Sequence, residues 1–169
     1  MSESGVSLGI PAARLTWQGD QPSSVEFGDI YHAGDGVAEV ERVFLAPTHF
    51  DQRAAAATGE MTVAEVGFGT GLNFVTAAHR FLGVARRDAT LHFVSFEARP
   101  IHPEQFAALA QRRGRSQSLY RELAHAYPPL LPGWHRLHLA GGRIVLSIFF
   151  GTAQAGLADL AGRLRAPVS

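Results

Sequence analysis

The 169-residue sequence contains neither cysteine nor lysine. Without cysteine the chain can form no disulfide, no thiolate metal site and no cysteine nucleophile. Without lysine it has no Schiff base and no lysine general base, because all 15 basic residues are arginine. No apolar run is long enough to span a bilayer, and the N-terminus lacks the basic start and apolar stretch of a signal peptide. We therefore expect a cytoplasmic protein with no membrane partner.

Charge is balanced, with 15 acidic and 15 basic residues, so the net charge alone demands neither nucleic acid nor membrane. A composition that is 46% hydrophobic and 18% charged is typical of a globular domain with a core. The eight histidines share no ligand-like spacing with carboxylates, so surface or capping roles are expected and no metal site is predicted.

The pattern divides the chain at residue 60. We expect residues 1–60 to form a β-rich N-terminal extension or lid, and residues 61–169 to form a partial α/β cofactor-binding domain. In the extension, the pattern predicts four stretches: a loose leader over 1–16, a turn-rich region over 17–41, a turn over 43–47 and a short helix over 50–57.

Strands and helices alternate after residue 60, which favours a mostly parallel sheet. The predicted strands are 61–66, 90–96 and two strands within 136–150 around an Ala-Gly-Gly turn; the predicted helices are 72–82, 103–112, 118–127 and 154–164. Gly83 is expected to end the first of these helices.

A glycine turn, Glu65-Val-Gly67-Phe-Gly69-Thr-Gly71-Leu-Asn73, joins the first strand to its helix. The dinucleotide fingerprint needs a third glycine where Leu72 stands, and no Gly-Lys-Ser/Thr follows for a P-loop. Glycines still allow close backbone approach to a ligand without phosphate, such as the amino-acid and ribose parts of S-adenosylmethionine. An acidic residue before the turn suits the positive charges of that cofactor.

Glu97 follows the second predicted strand, where a carboxylate can accept hydrogen bonds from both hydroxyls of a ribose. Together with the turn, it indicates an adenosine cofactor. Two structural alternatives stay open, because glycine turns also occur where nothing binds and a glutamate at a strand end can simply cap a helix. Arg112, Arg113 and Arg115, with Arg121 further on, could contact phosphates of RNA, or could simply favour a helix C-terminus.

Five sequence blocks, in the same order, resemble the N-terminal methyltransferase domain of the bifunctional tRNA 5-methylaminomethyl-2-thiouridine enzymes. The blocks are Phe27-Gly-Asp29-Ile-Tyr31, Glu39-Val-Glu-Arg-Val43-Phe44-Leu45, Glu65-Val-Gly-Phe-Gly-Thr-Gly-Leu-Asn73-Phe74, His92-Phe-Val-Ser-Phe-Glu97 and Leu131-Pro-Gly133-Trp-His135-Arg-Leu137. The resemblance implies a class I, Rossmann-like fold and methyl transfer from S-adenosylmethionine to the aminomethyl nitrogen of a wobble uridine, with tRNA as partner.

The resemblance also implies site residues. The expected cofactor-binding residues are Glu65, Gly67, Phe68, Gly69, Thr70, Gly71, Asn73, Glu97 and Gly151. Asp29 and Tyr31 are expected in a lid over the substrate base, where an aromatic ring can stack on a flipped uridine; a turn aspartate and a packed tyrosine are the alternative. The family's flavin domain is not expected in this chain, so no FAD is predicted.

The chain departs from the family pattern at three places. Ala98 stands where the family has lysine, and Thr152 stands where it has an aspartate suited to the adenine amino group. The family continues into a strand ending in D-G-F-A-P, whose aspartate lies at the methyl-transfer site, so the catalytic acid is expected beyond Ser169 and none is assigned here.

We therefore expect that the chain is incomplete and cannot methylate on its own, and that the 61–66 strand has an open apolar edge. A methyltransferase for another substrate, and an inactive remnant that binds the cofactor or a partner, are the alternatives.

Overall fold

The computed structural model describes residues 9–18, 21–24, 36–112 and 117–165. In chain order the elements are β1 Leu15–Gln18, β2 Gln21–Ser24, α1 Gly36–Val40, α2 Phe50–Ala56, β3 Glu60–Val66, α3 Leu72–Val84, β4 Thr90–Glu97, α4 Pro103–Gln111, α5 Gln117–Ala126, β5 Gly133–Leu139, β6 Ile144–Phe150 and α6 Ala153–Arg165. The α/β class predicted from the sequence is confirmed.

The central sheet has the strand order β3-β4-β6-β5. The first three strands run parallel, and β5 pairs antiparallel with β6 in a hairpin. Strands inside a parallel sheet are covered on both faces and therefore carry nearly continuous apolar runs. The sequence Ile-Val-Leu-Ser-Ile-Phe-Phe of β6 fits that rule, since every residue except Ser147 is buried.

Helix α3 covers one face of the sheet with side chains that are fully buried at Phe74, Val75, Ala78 and Phe81. The prediction that Gly83 ends this helix was wrong, because α3 continues to Val84. A glycine inside a helix costs only about 1 kcal/mol. The backbone amide of Ala85 still bonds the Phe81 carbonyl at 2.8 Å, which closes the last turn beyond the glycine.

Aromatic rings fill the space between α3, α4 and the sheet. Phe74 meets Phe93 edge-on, with ring centroids 5.2 Å apart, and Phe106 stacks on Tyr127 at 4.2 Å. Such pairs stabilise a core beyond the area they bury. These contacts hold α3 against the sheet, and α3 begins at the glycine turn that follows β3.

Helix α6 lies on the opposite face and approaches the sheet closely through Gly156. A Cβ atom at this position would lie 2.6 Å from the ring of Phe96 and 2.9 Å from that of Phe149. The same two rings pack around Trp134, whose indole N–H donates to Asp159 of α6 at 2.9 Å. Glycine is therefore required for the close contact between α6 and the sheet.

The prediction of a loose leader over 1–16 was wrong for its described part. The backbone amide of Ile10 bonds the Leu130 carbonyl, and that of Ala13 bonds the Pro100 carbonyl, both at 3.0 Å. Ala13 is also 1% exposed, so this stretch is part of the core. The order could not be read from the sequence, which has little periodicity here, because backbone hydrogen bonds to distant loops hold the segment.

A helical run over 36–48 replaces the turns predicted there. It comprises α1, a π-helical turn over Glu41–Leu45 and a 3-10 turn over Ala46–Thr48. Val40 and Leu45 are buried, and the Phe44 ring lies 6.3 Å from that of Phe93. Tertiary packing thus supports a helical run that begins at a glycine and contains Pro47.

Strand β3 is the edge strand of the central sheet among the described residues. Val66 at its end is 75% exposed, whereas Met61 is 7% exposed. The edge predicted for this strand is thus present in the described part of the chain. The domain division at residue 60 stays a prediction, and α1 packs against α3 across that boundary.

Candidate functional site

A cavity of about 530 Å³ opens at the carboxyl ends of β3 and β4. One wall is the glycine turn and the start of α3, and the other is the helical run over 36–48. The lining residues are Gly36, Glu39, Val40, Val43, Phe44, Gly67, Phe68, Gly69, Thr70, Leu72, Asn73, Glu97 and Arg99. Ligands of open α/β sheets bind at this edge, and the volume suits a nucleoside-sized ligand.

The glycine turn takes left-handed backbone angles, with φ of 89° at Gly67, 51° at Gly69 and 70° at Gly71. The Gly67 amide bonds the Phe96 carbonyl at 2.8 Å, which ties the turn to β4. A Cβ atom built on Gly67 would meet no atom within 4 Å. The requirement for glycine there comes from the backbone, and the space beside it is open to a ligand.

Glu97 at the end of β4 holds the loop around the cavity. Its Oε2 atom accepts the backbone N–H of Gly69 at 2.8 Å, and its Oε1 atom accepts that of Arg99 at 2.8 Å. A carboxylate has about four lone-pair positions, so each oxygen can accept a further hydrogen bond from a ligand. The side chain is therefore oriented before any ligand arrives.

Glu65 lies one strand away, behind the cavity wall, and is only 8% exposed. Asn73 Nδ2 donates to its Oε2 atom at 3.1 Å, and Ser95 Oγ donates to its Oε1 atom at 3.0 Å. Burial raises the pKa of Glu65 to about 7, although both hydrogen bonds act in the opposite direction, and the nearby charge of Glu97 raises it further. Near neutral pH this carboxyl group is poised between its two protonation states.

The structure brings most of the predicted cofactor-binding residues together. The residues that line the cavity are Gly67, Phe68, Gly69, Thr70, Asn73 and Glu97. Glu65, Gly71 and Gly151 lie outside the lining. Gly71 has its Cβ position 3.0 Å from the Phe68 ring, so it is part of the packing under the turn. The predicted substrate residues, Asp29 and Tyr31, lie outside the described residues.

Gly151 and Thr152 support the site from the end of β6. The Gly151 amide bonds the Glu97 carbonyl at 2.9 Å, and φ is 148°. A Cβ atom there would lie 2.6 Å from the Phe149 ring. The hydroxyl of Thr152 accepts the Ala155 amide at 3.2 Å and so caps α6. Both residues thus have structural roles beside β4.

Sequence reasoning missed one wall of the cavity. The spacing of Gly36, Val40, Val43 and Phe44 places these residues on one side of a helix, and that periodicity was the available signal. Glycine at the start and proline at 47 favoured an interpretation as turns. Arg99 was also missed. It lines the cavity because its backbone amide bonds Glu97, and no sequence motif indicates that contact.

The arginine cluster suggested by the sequence is not seen as a phosphate-binding site among the described residues. Arg112 stacks its guanidinium 4.1 Å above the ring of Trp17, and Arg113 and Arg115 lie outside the described residues. Over the ranges that the structure covers, no group of three acidic or histidine side chains could hold a metal ion. Over the same ranges, no helix has the length and apolar character needed to cross a bilayer.

Curated relatives match the chain along most of its length. The tRNA 5-methylaminomethyl-2-thiouridine biosynthesis bifunctional protein of Chromobacterium violaceum is 40% identical over 157 residues, which cover 91% of this chain and 24% of that protein. The protein of the same name from an Azoarcus species is 39% identical over 156 residues, with the same coverage. The chain therefore spans about a quarter of the length of these relatives. No family model matches the sequence.

A solved structure shares the fold. The crystal structure of MnmC2 from Aquifex aeolicus superposes with a TM-score of 0.62 and 18% identity, over 88% of this chain and 46% of that one. This likeness supports the Rossmann-like, mostly parallel sheet described above. The sequence identities show that the chain is homologous to one part of the tRNA 5-methylaminomethyl-2-thiouridine biosynthesis bifunctional proteins.

Proposed function

We propose that the chain binds S-adenosylmethionine in the cavity at the glycine turn and serves methylation of the aminomethyl group of a wobble uridine in tRNA. The observation that carries the proposal is the position of Glu97. Its carboxylate lies at the end of β4, lines the cavity and is fixed by the backbone amides of Gly69 and Arg99.

The residues present fit this cofactor. A ribose offers two neighbouring hydroxyl donors, and the remaining lone pairs of Glu97 can accept both. The open space beside Gly67 admits close backbone approach by a ligand. Val43 and Phe44 supply apolar surface in the opposite wall, which suits a flat adenine ring.

The cofactor, when bound, would supply an activated methyl group. The contribution of the chain is then positioning, because transfer needs the attacking nitrogen, the methyl carbon and the sulfur in line. Glu97 and the glycine turn would hold the donor in one orientation. The helical run over 36–48 would cover the donor from the other side and exclude water.

The tRNA substrate is proposed from similarity. The relatives named above are tRNA-modifying proteins by their names, and the matched region includes the glycine turn and Glu97 within its 157 residues. The substrate nitrogen would enter from the open side of the cavity.

Two measurements test the proposal. Titration calorimetry of the purified chain with S-adenosylmethionine should give saturable binding, and absence of heat and of any thermal shift would contradict the cofactor assignment. Binding of tRNA that carries 5-aminomethyl-2-thiouridine is then measured in the presence of S-adenosylhomocysteine, with tRNA that lacks the aminomethyl group as the control. Equal binding of the two tRNAs would contradict the proposed substrate.

A further inference from the structure

The helical run over 36–48 places a carboxylate in the cavity wall that faces the glycine turn. Glu39 lies on α1 and lines the cavity. The residues that follow it fix the position of α1, since Val40 and Leu45 are buried and Phe44 packs near Phe93. The site of Glu39 is therefore determined by the core.

Glu41 lies on a different side of the run from Glu39. Arg80 of α3 lies 2.7 Å from Asp51 of α2 and 3.9 Å from Glu41. Residues two apart on a helix lie on different sides. Glu41 is directed to Arg80 and Glu39 is directed to the cavity. The two glutamates can therefore be compared as the same residue type inside and outside the cavity.

The cavity lining contains two carboxylates, and they are engaged differently. Glu97 already accepts two backbone amides. Within the described ranges, no ion pair or side-chain hydrogen bond engages Glu39, and Arg99 in the same lining does not pair with it. A third carboxylate, Glu65, is buried behind the wall with Asn73 and Ser95. The acceptor capacity that remains for a cationic ligand is therefore concentrated on Glu39.

We propose that Glu39 binds a primary ammonium group in this cavity. The proposal rests on the proposed function, which brings two such groups to the site: the α-ammonium of the methionine part of the cofactor and the aminomethyl group of the uridine. An ammonium is compact and has three donors, so it pairs well with a single carboxylate. Val40 and Val43 lie in the same lining and compete with no hydrogen bond for the carboxylate.

The test compares Glu39→Gln with Glu41→Gln, two identical chemical changes in one helical run. Calorimetry measures the dissociation constants of both variants and of the unaltered chain for S-adenosylmethionine, S-adenosylhomocysteine and 5′-methylthioadenosine. The first two ligands contain the ammonium, the second lacks the sulfonium charge, and the third lacks the whole amino-acid part. If the cofactor is the source, Glu39→Gln weakens the first two by about tenfold and leaves the third unchanged. Glu41→Gln changes none of them.

The second arm uses anticodon stem-loop RNA with either aminomethyl-uridine or unmodified uridine at the wobble position, in the presence of S-adenosylhomocysteine. If the substrate amine is the source, the unaltered chain prefers the aminomethyl RNA and Glu39→Gln loses that preference. The proposal is overturned if Glu39→Gln matches Glu41→Gln for every ligand, or if only the sulfonium-containing ligand is weakened. Failure of the unaltered chain to bind any adenosyl ligand would instead refute the proposed function.

Discussion

Glu65 and Glu97 end adjacent parallel strands, yet their surroundings differ in every respect. Glu65 is buried and hydrogen-bonded to the side chains of Asn73 and Ser95. Glu97 lines the cavity and is held by backbone amides of the loops on either side of it. In the sheet register Glu65 lies opposite Ser95, two residues before Glu97. A shift of two residues along one sheet edge thus separates a buried carboxyl from an accessible one.

The difference in surroundings indicates that the two carboxyl groups have different roles. A carboxylate held by backbone amides is oriented without being desolvated, and it can offer its remaining lone pairs to a ligand. A carboxyl group buried among side chains stores electrostatic free energy that depends on pH. We expect Glu97 to control ligand affinity and Glu65 to control the pH dependence of stability.

Replacement of Glu97 by alanine should have the largest effect. The change removes the acceptors that we propose for both ribose hydroxyls, and it removes the anchor for the Gly69 amide. Two hydrogen bonds to a charged group amount to about 4 kcal/mol, so the affinity for S-adenosylmethionine should fall about a thousandfold by calorimetry.

Glu104→Ala is the matched control for that change, because Glu104 is 90% exposed on α4 and lies outside the cavity lining. It should leave the affinity unchanged. A Glu97→Ala chain that is folded by circular dichroism and still binds the cofactor as tightly as the unaltered chain would remove Glu97 from the site.

Replacement of Glu65 by glutamine should instead change the pH dependence of unfolding. The pKa of Glu65 is about 7 in the folded chain against an ordinary value of 4.5, so the folded state holds the proton more tightly. The contribution of Glu65 to stability should therefore be greatest below about pH 4.5, fall by about 3 kcal/mol as the pH rises to about 7, and stay low above it. Glutamine is neutral throughout and should remove this decline.

Urea denaturation at pH 5 and pH 8 measures the effect. The glutamine variant should be more stable than the unaltered chain at pH 8 and similar to it at pH 5, since its amide can donate to Ser95 and its oxygen can accept from Asn73. Equal pH profiles for the two chains would show that Glu65 titrates normally. Binding of the cofactor should change less than in Glu97→Ala.

The strands that end in these glutamates could be predicted from sequence, because apolar runs and a glycine turn are local signals. The residues Gly67, Gly69 and Glu97 come together as expected. The buried network around Glu65 could not be predicted, because its partners lie 8 and 30 positions away, on a helix and on a neighbouring strand. Pairing of β3 with β4 creates that network, and sequence alone gives no register for it.

The opposite wall was missed for a different reason, because its helical spacing competes with turn signals. Gly36 opens the segment and Pro47 closes it, and both residues favour turns. Burial of Val40 and Leu45 outweighs that preference. Arg80 adds ion pairs to Glu41 and Asp51 that link the run and α2 to α3. The wall is a product of tertiary contacts, and the role of Glu39 is visible only once those contacts are known.

Replacement of Ser95 by alanine should have the smallest effect and the most informative pH dependence. Ser95 is fully buried, and its hydroxyl donates to Glu65, so the loss should cost about 1 kcal/mol at pH 8, where the carboxylate is charged. At pH 5 the carboxyl is protonated and the cost should be smaller, because a neutral acceptor binds the hydroxyl less strongly. The midpoint of the stability decline should therefore move to higher pH.

Ser147→Ala on β6, which removes a hydroxyl bonded to His92, is the control and should leave that midpoint unchanged. If the midpoint moved equally in both variants, the pH dependence of stability would not arise from Glu65 but from another group in the sheet.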